Sequence, residues 1–149
     1  MDKYFLEAVK LARNGVSLGE GGPFGAVIVK NGQIVGRGNN KVLINNDPTA
    51  HAEVTAIRDA SKNLNTYDLS GCVLYTTSEP CPMCMSATIW SNIKEVYYVT
   101  DRRDVASIGF RDDLIYRYFE NGEKDIVNIK KVENTDCDKL LNEYKNTIY

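Results

Sequence analysis

The amino-acid sequence is poor in histidine and tryptophan and carries almost no net charge. Its 149 residues include one histidine, one tryptophan and four cysteines, and 18 lysines and arginines stand against 20 aspartates and glutamates. The overall positive charge typical of nucleic-acid-binding domains is absent, so we expect no nucleic-acid partner. No apolar run is long enough to cross a bilayer, so we expect no membrane partner either.

The rest of the composition is that of a folded globular domain. Hydrophobic residues make up 43% and charged residues 26% of the chain, close to the usual proportions. A chain of this length can build a core without disulfide bonds. Its first seven residues include acidic side chains and lack a secretory signal pattern. We therefore predict one domain over residues 1–149 in the cytoplasm, where cysteines stay reduced.

The alternation of strand and helix patterns predicts an α/β fold in three layers, with helices on both faces of a sheet. Strands are predicted at residues 26–29, 33–37, 72–76, 95–100 and 126–132, and helices at residues 3–14, 50–62, 80–89, 112–119 and 136–145. The pair Asn31-Gly32 predicts a tight hairpin, which makes the first two strands antiparallel. Helical crossovers allow the later strands to run parallel. The expected sheet is therefore mixed and five-stranded.

The single histidine and a close pair of cysteines form a candidate metal site. His51 is followed downstream by Cys81 and Cys84, and one imidazole with two thiolates suits zinc. Three protein ligands are typical of catalytic zinc sites, which keep a position for water. Glu53 lies two residues after His51 and can reach that water only if a helix presents its N-terminal end. Placed there, Glu53 would transfer protons.

Each part of this pattern also has a simpler interpretation. A Cys-x-x-Cys pair in a cytosolic protein can be a redox dithiol, and a single histidine can be a hydrogen-bonded core residue. Cys72 could complete a closed structural zinc site, although it begins an apolar strand and is expected in the core. Cys137 is expected to be an ordinary thiol. A non-catalytic zinc module would have no use for Glu53.

Taken together, His51-Ala52-Glu53 and the later Pro80-Cys81-Pro82-Met83-Cys84 match the signature of zinc nucleobase deaminases. Three further segments resemble the bacterial guanine deaminases, which have the cytidine deaminase-like fold. These segments are Gly21–Ala26, Asn46–Ala50 and Gly109–Tyr116. The resemblance covers Leu6 to Tyr116 and is weaker beyond it, until the C-terminal aromatic residue, Tyr149. The predicted strand at 126–132 departs most from the family pattern.

The resemblance implies hydrolysis of guanine to xanthine and ammonia, with the purine base and water as substrates. One zinc ion per subunit would be held by His51, Cys81 and Cys84. Glu53 would be the catalytic proton shuttle, and Asp112 a second catalytic acid near the guanine amino group. The implied substrate-binding residues are Asn40, Phe24, Ala52, Trp90 and Tyr149. The family also implies a homodimer in which the C-terminal segment is exchanged between subunits.

The residues alone leave other roles open for this pocket. Phe24 and Trp90 could be ordinary core aromatics. Asn40 lies in a turn-like context, where asparagine is common. Asp112 stands near a predicted helix start, where aspartate is frequent as an N-cap, and Asp113 could serve as that cap instead.

Other zinc deaminases share the same ligand motif. A tRNA adenosine deaminase must contact phosphates through lysine and arginine, yet residues 120–149 contain five lysines, no arginine and seven acids, a net charge of −2. Four arginines, at positions 102, 103, 111 and 117, form a modest cluster that a solvated helix face explains. A cytosine or deoxycytidylate deaminase is a further alternative, although a nucleotide substrate would require a phosphate site that the sequence does not reveal.

Overall fold

The computed structural model of the chain describes residues 1–144 and Ile148. Its helices and strands are α1 (Asp2–Ser17), β1 (Gly25–Lys30), β2 (Gln33–Asn39), α2 (Val42–Asn45), α3 (Ala52–Leu64), β3 (Cys72–Ser78), α4 (Pro82–Trp90), β4 (Glu95–Thr100), α5 (Arg102–Ser107), α6 (Asp112–Asn121) and α7 (Thr135–Glu143). The chain divides into two compact units, Met1–Tyr116 and Arg117–Tyr149. None of the helices in the described ranges has the length and apolar character of a membrane span.

The sheet lies in the first unit and has four strands in the order β2-β1-β3-β4. Strand β1 is antiparallel to both β2 and β3, whereas β3 and β4 are parallel and are joined through α4. At the hairpin, Asn31 and Gly32 have φ angles of 50° and 76°, as a tight primed turn requires. The predicted mixed α/β sheet with an antiparallel first hairpin is therefore confirmed.

The predicted fifth strand is wrong: residues 127–132 adopt no regular structure within the described chain. The apolar residues of this segment do not reach a core, since Val127, Ile129 and Val132 are 56%, 78% and 80% exposed. Strand propensity reflects packing against neighbouring strands more than a preference of the backbone. Three apolar residues that bury no face therefore do not make a strand.

Two apolar clusters, one on each face of the sheet, account for the three layers. On one face α1 packs through Tyr4 against Val27, Val29 and Tyr75. On the other face, the alternate residues Ala26 and Ile28 of β1 belong to a cluster with the alanines of α3. Because successive side chains of a strand point to opposite faces, β1 contributes to both clusters.

The approach of α3 to the sheet is unusually close because β2 carries glycine where the two elements meet. A Cβ atom at Gly36 would lie 2.6 Å from the carbonyl oxygen of Ala56 and 2.7 Å from the Cβ of Ala60. At Gly38 it would lie closer than 3.0 Å to the backbone of Ala52 and Ala56. These contacts set the position of α3, whose first turn carries the candidate site.

Candidate active site

Two helices begin at the candidate metal ligands. His51 is the N-cap of α3 and Cys81 is the N-cap of α4, and both residues have extended backbone conformations. Pro82 occupies the first turn of α4, a position that needs no backbone N–H group. Cys84 lies within that turn. The free N–H groups and positive dipole ends of both helices favour negatively charged groups at this point.

The three ligand atoms have the spacing that zinc requires. The Nδ1 atom of His51 lies 3.6 Å from Sγ of Cys81 and 3.4 Å from Sγ of Cys84, and all three atoms lie within 4.8 Å of one another. Zinc bonds of about 2.3 Å to sulfur and 2.0 Å to nitrogen place tetrahedral ligand atoms roughly 3.6 Å apart. The donor set and its geometry therefore fit a zinc ion.

The thiol environments favour negative charge at Cys81. Its pKa is lowered to about 4, chiefly because Cys84 donates a hydrogen bond to it, with further contributions from His51 and the Cys84 backbone N–H. The pKa of Cys84 is raised because its thiol is the donor of that pair and is buried. A thiolate on Cys81 is the form that binds metal.

Glu53 is the second residue of α3 and only 6% exposed. Burial raises its pKa to about 7, which places its proton exchange close to neutral pH. His51 and Glu53 both line one cavity because α3 presents its N-terminal end there. His51 and Glu53 are two residues apart and can reach one point only from the end of a helix, and this is the arrangement observed.

The cavity beside these residues has a volume of about 440 Å³, within the range of small-molecule sites. The rings of Phe24 and Phe110 meet edge to face on its wall, with centroids 4.8 Å apart. Asn40 also lines the cavity and is 5% exposed. Its Oδ1 accepts a hydrogen bond of 3.1 Å from the backbone N–H of Val42, which leaves its amide NH₂ group as a donor.

Asp112 brings a second carboxyl group to the cavity. It is the first residue of α6 and half-buried. Its pKa is raised, first by burial and then by the negative charge of Cys81. Among the hydrogen bonds of the described residues, its carboxylate caps no helix N–H group, so the capping role considered from the sequence is not observed for Asp112.

The structure does not bring every predicted pocket residue to the cavity. Ala52 is fully buried in the core cluster between α3 and the sheet, so its side chain cannot face a ligand. Trp90 ends α4 with 79% of its surface exposed and is not among the cavity residues. It is therefore neither a core aromatic nor a wall of this cavity in the single chain. The prediction for Tyr149 lies outside the described residues.

Several cavity residues were not predicted from the sequence, and two of them are Glu79 and Phe110. Glu79 directly precedes Pro80-Cys81 in the sequence, so its position beside the metal motif could have indicated that it lies near the site. Phe110 reaches the cavity through tertiary packing against Phe24, which a local pattern does not reveal. Cys72 is 3% exposed, as predicted for a core residue. Among the described residues, the candidate metal cluster has three ligands, and Cys72 does not join it as a fourth ligand.

A three-layer α/β domain with a His-Cys-Cys metal site, and a buried glutamate beside it, defines the class of zinc-dependent nucleobase deaminases. The chain belongs to this family: residues 1–100 match the cytidine and deoxycytidylate deaminase zinc-binding region. The predicted family and zinc site are thus confirmed.

Among curated relatives, guanine deaminase of Bacillus subtilis (strain 168) is 53% identical over 116 residues, covering 78% of this chain and 74% of the relative. A tRNA-specific adenosine deaminase of Buchnera aphidicola subsp. Schizaphis graminum is 37% identical over 145 residues, covering 96% and 93%. The X-ray structure of guanine deaminase from Bacillus subtilis superposes with a TM-score of 0.91 at 44% identity, covering 99% of this chain and 94% of that one.

Proposed function

We propose that this chain is a guanine deaminase that hydrolyses guanine to xanthine and ammonia. The observation that carries the proposal is the 440 Å³ cavity, in which Glu53 and Asp112 lie beside the three candidate zinc ligands. The likeness to the Bacillus subtilis guanine deaminase over nearly the whole chain supports this choice of base.

The proposed chemistry needs a nucleophile at C2 of guanine and two proton transfers. His51, Cys81 and Cys84 would hold a zinc ion, which would supply the Lewis acidity that makes water nucleophilic near neutral pH. Glu53 takes the proton released by that water and delivers it to the ring nitrogen next to C2. A pKa of about 7 suits a group that must both accept and donate a proton at neutral pH. The hydroxyl group added at C2 gives up the second proton, which Glu53 passes to the exocyclic amine. The C2–N bond then breaks, the C2 carbonyl of xanthine forms and ammonia leaves.

The remaining cavity residues orient the base. Asn40 offers an NH₂ donor to the acceptor atoms on the guanine edge, since its Oδ1 is already engaged by Val42. Phe24 packs against the face of the purine ring, and Phe110 supports Phe24 edge-on. Asp112 accepts a hydrogen bond from the exocyclic amino group.

A tRNA adenosine deaminase is the second candidate, because such a relative matches 96% of the chain. That relative is 37% identical to the chain, compared with 53% for the guanine deaminase. Residues 120–149 also carry a net charge of −2, which disfavours contacts with phosphates. A cytosine or nucleotide deaminase would share the metal site. Substrate turnover separates these activities directly.

We further infer that the enzyme is a cytoplasmic homodimer with exchanged C-terminal segments, in which Trp90 and Tyr149 complete the substrate site. Five apolar side chains between residues 127 and 141 are more than half exposed, which supports their being covered by the partner subunit. They are Val127, Ile129, Val132, Leu140 and Leu141. Sedimentation at micromolar concentration should show one species near twice 16.7 kDa. A monomer would contradict the exchange.

The proposal is tested by following guanine loss, xanthine formation and ammonia release with the zinc-loaded protein. The three amounts should agree one to one, and Glu53→Gln should retain zinc while losing nearly all turnover. Guanine left intact by fully zinc-loaded protein would contradict the proposal.

A further inference from the structure

Asp112 lies in the cavity on a helix that is weakly held by its own packing. None of the residues of α6 is buried. The loop before it contains Gly109 with a φ of +100°, and the Asp112 side chain caps no N–H group among the described hydrogen bonds. The position of its carboxylate must therefore be fixed by contacts made by neighbouring residues.

One such contact is made by Arg102 at the start of α5. Its guanidinium carbon lies 4.3 Å from the centroid of the Tyr116 ring, well within the range of a cation–π interaction. Tyr116 follows Asp112 by four residues on α6, and residues at this spacing share one face of a helix. A contact on the Tyr116 ring therefore restrains the turn that carries Asp112.

Arg102 is itself anchored to the segment that leads into the metal site. Its backbone N–H donates a 2.8 Å hydrogen bond to Oε2 of Glu79, and the backbone N–H of Glu79 donates a 2.7 Å bond to Thr100 at the end of β4. Glu79 stands two residues before Cys81. The same arginine thus connects the metal-binding segment with the helix that bears Asp112.

We infer that Arg102 is a positioning residue for Asp112: stacked on Tyr116 and anchored by Glu79, it keeps the Asp112 carboxylate in the substrate cavity. This inference rests on the proposed deaminase function. Arg102 does not line the cavity and so acts through Asp112 rather than on the base. Its effect on turnover must disappear when the Asp112 carboxylate is absent.

The experiment is a double-mutant cycle between Arg102→Ala and Asp112→Ala in the zinc-loaded enzyme. It measures kcat and KM for whichever base of a panel turns over best, so that a wrong choice of guanine does not decide the outcome. Arg102→Ala and Tyr116→Leu should each lower kcat/KM about tenfold, as expected for a displaced catalytic group. In the Asp112→Ala background, Arg102→Ala should change kcat/KM by less than about twofold, since groups that act as one unit are not additive.

Conservative and matched variants separate positioning from a general structural effect. Tyr116→Phe keeps the ring but removes the hydroxyl group that also interacts with Arg102, so its loss of kcat/KM should be much smaller than that of Tyr116→Leu. Arg102→Lys should recover only part of the loss because lysine lacks the planar stacking group. Arg103→Ala, at the next position of α5, should stay within about twofold of wild type. Three results would overturn the inference: wild-type kinetics in Arg102→Ala, a tenfold loss that persists without Asp112, or loss of zinc from Arg102→Ala and Tyr116→Leu alike.

Discussion

Replacing Gly38 by alanine tests whether the close contact of α3 with the sheet sets the geometry of the site. The added Cβ would lie closer than 3.0 Å to the backbone of Ala52 and Ala56, whereas ordinary contacts begin near 3.4 Å. The N-terminal end of α3 must therefore retreat by about half an ångström or more. Overpacking of this kind costs about 1–3 kcal/mol of folding free energy.

For a chain of this size, 1 kcal/mol corresponds to about 2–4 °C in melting temperature. Gly38→Ala should therefore melt roughly 2–12 °C below wild type. Because Ala52 lies between His51 and Glu53, the displacement also moves both groups, and kcat/KM should fall by about tenfold or more at equal zinc content. Thermal unfolding and ammonia release measure the two effects.

Gly36→Ala provides a matched control on the same strand. Its Cβ would meet Ala56 and Ala60 at 2.6–2.9 Å, so the stability cost should be similar. Those contacts lie one and two turns beyond Ala52, so the loss of kcat/KM should be smaller. Where a backbone position accommodates alanine, replacing glycine stabilises a protein by about 0.4–1 kcal/mol. An unchanged or raised melting temperature in Gly38→Ala would refute the reasoning.

Further predictions concern the carboxylates and the metal. Glu53→Gln should keep its zinc and lose at least about 10² in kcat, as removal of general acid–base catalysis does; near-normal turnover would exclude the proton-shuttle role. In the zinc-free protein, burial raises the pKa of Glu53 from 4.5 to about 7, so its contribution to stability is complete below pH 4.5 and is lost as the pH rises from 4.5 to about 7. Glu53→Gln should therefore melt above wild type at pH 8 and nearly equal to it at about pH 4, below the unfolded pKa, and equal melting at both values would contradict that sign. Asp112→Ala should lower kcat/KM for the base with little change in melting temperature, and unchanged kinetics would remove it from the reaction. A chelator should abolish turnover, and zinc should restore it; activity that survives metal removal would contradict a zinc enzyme.

The sequence was most informative where a local rule decides the structure. Asn31-Gly32 predicted the hairpin because few other pairs accept two positive φ angles. The metal site was predictable because the one histidine and a Cys-x-x-Cys pair leave little choice of ligands. The helix was predicted over residues 50–62, and α3 begins at Ala52 with Glu53 in its first turn, as the two-residue spacing from His51 required.

Prediction failed where long-range packing decides. Residues 127–132 have strand-forming side chains but no partner strand, and Phe110 reaches the cavity only by meeting Phe24 across the fold. The short helix α5 was also missed, although Asp101 and Asp104 form a reciprocal capping box at its start. Serine or threonine with glutamate is the usual form of that signal, so two aspartates were easily overlooked.

The central claim is tested most directly by measuring ammonia release from the zinc-loaded protein with guanine, guanosine, adenine, cytosine, cytidine, deoxycytidylate and tRNA. The account predicts the highest kcat/KM for guanine, with xanthine as the product and negligible release from tRNA. Turnover of tRNA, cytosine or a nucleotide without turnover of guanine would contradict the proposed substrate. No ammonia release from any compound of the panel would contradict a catalytic role for the metal site.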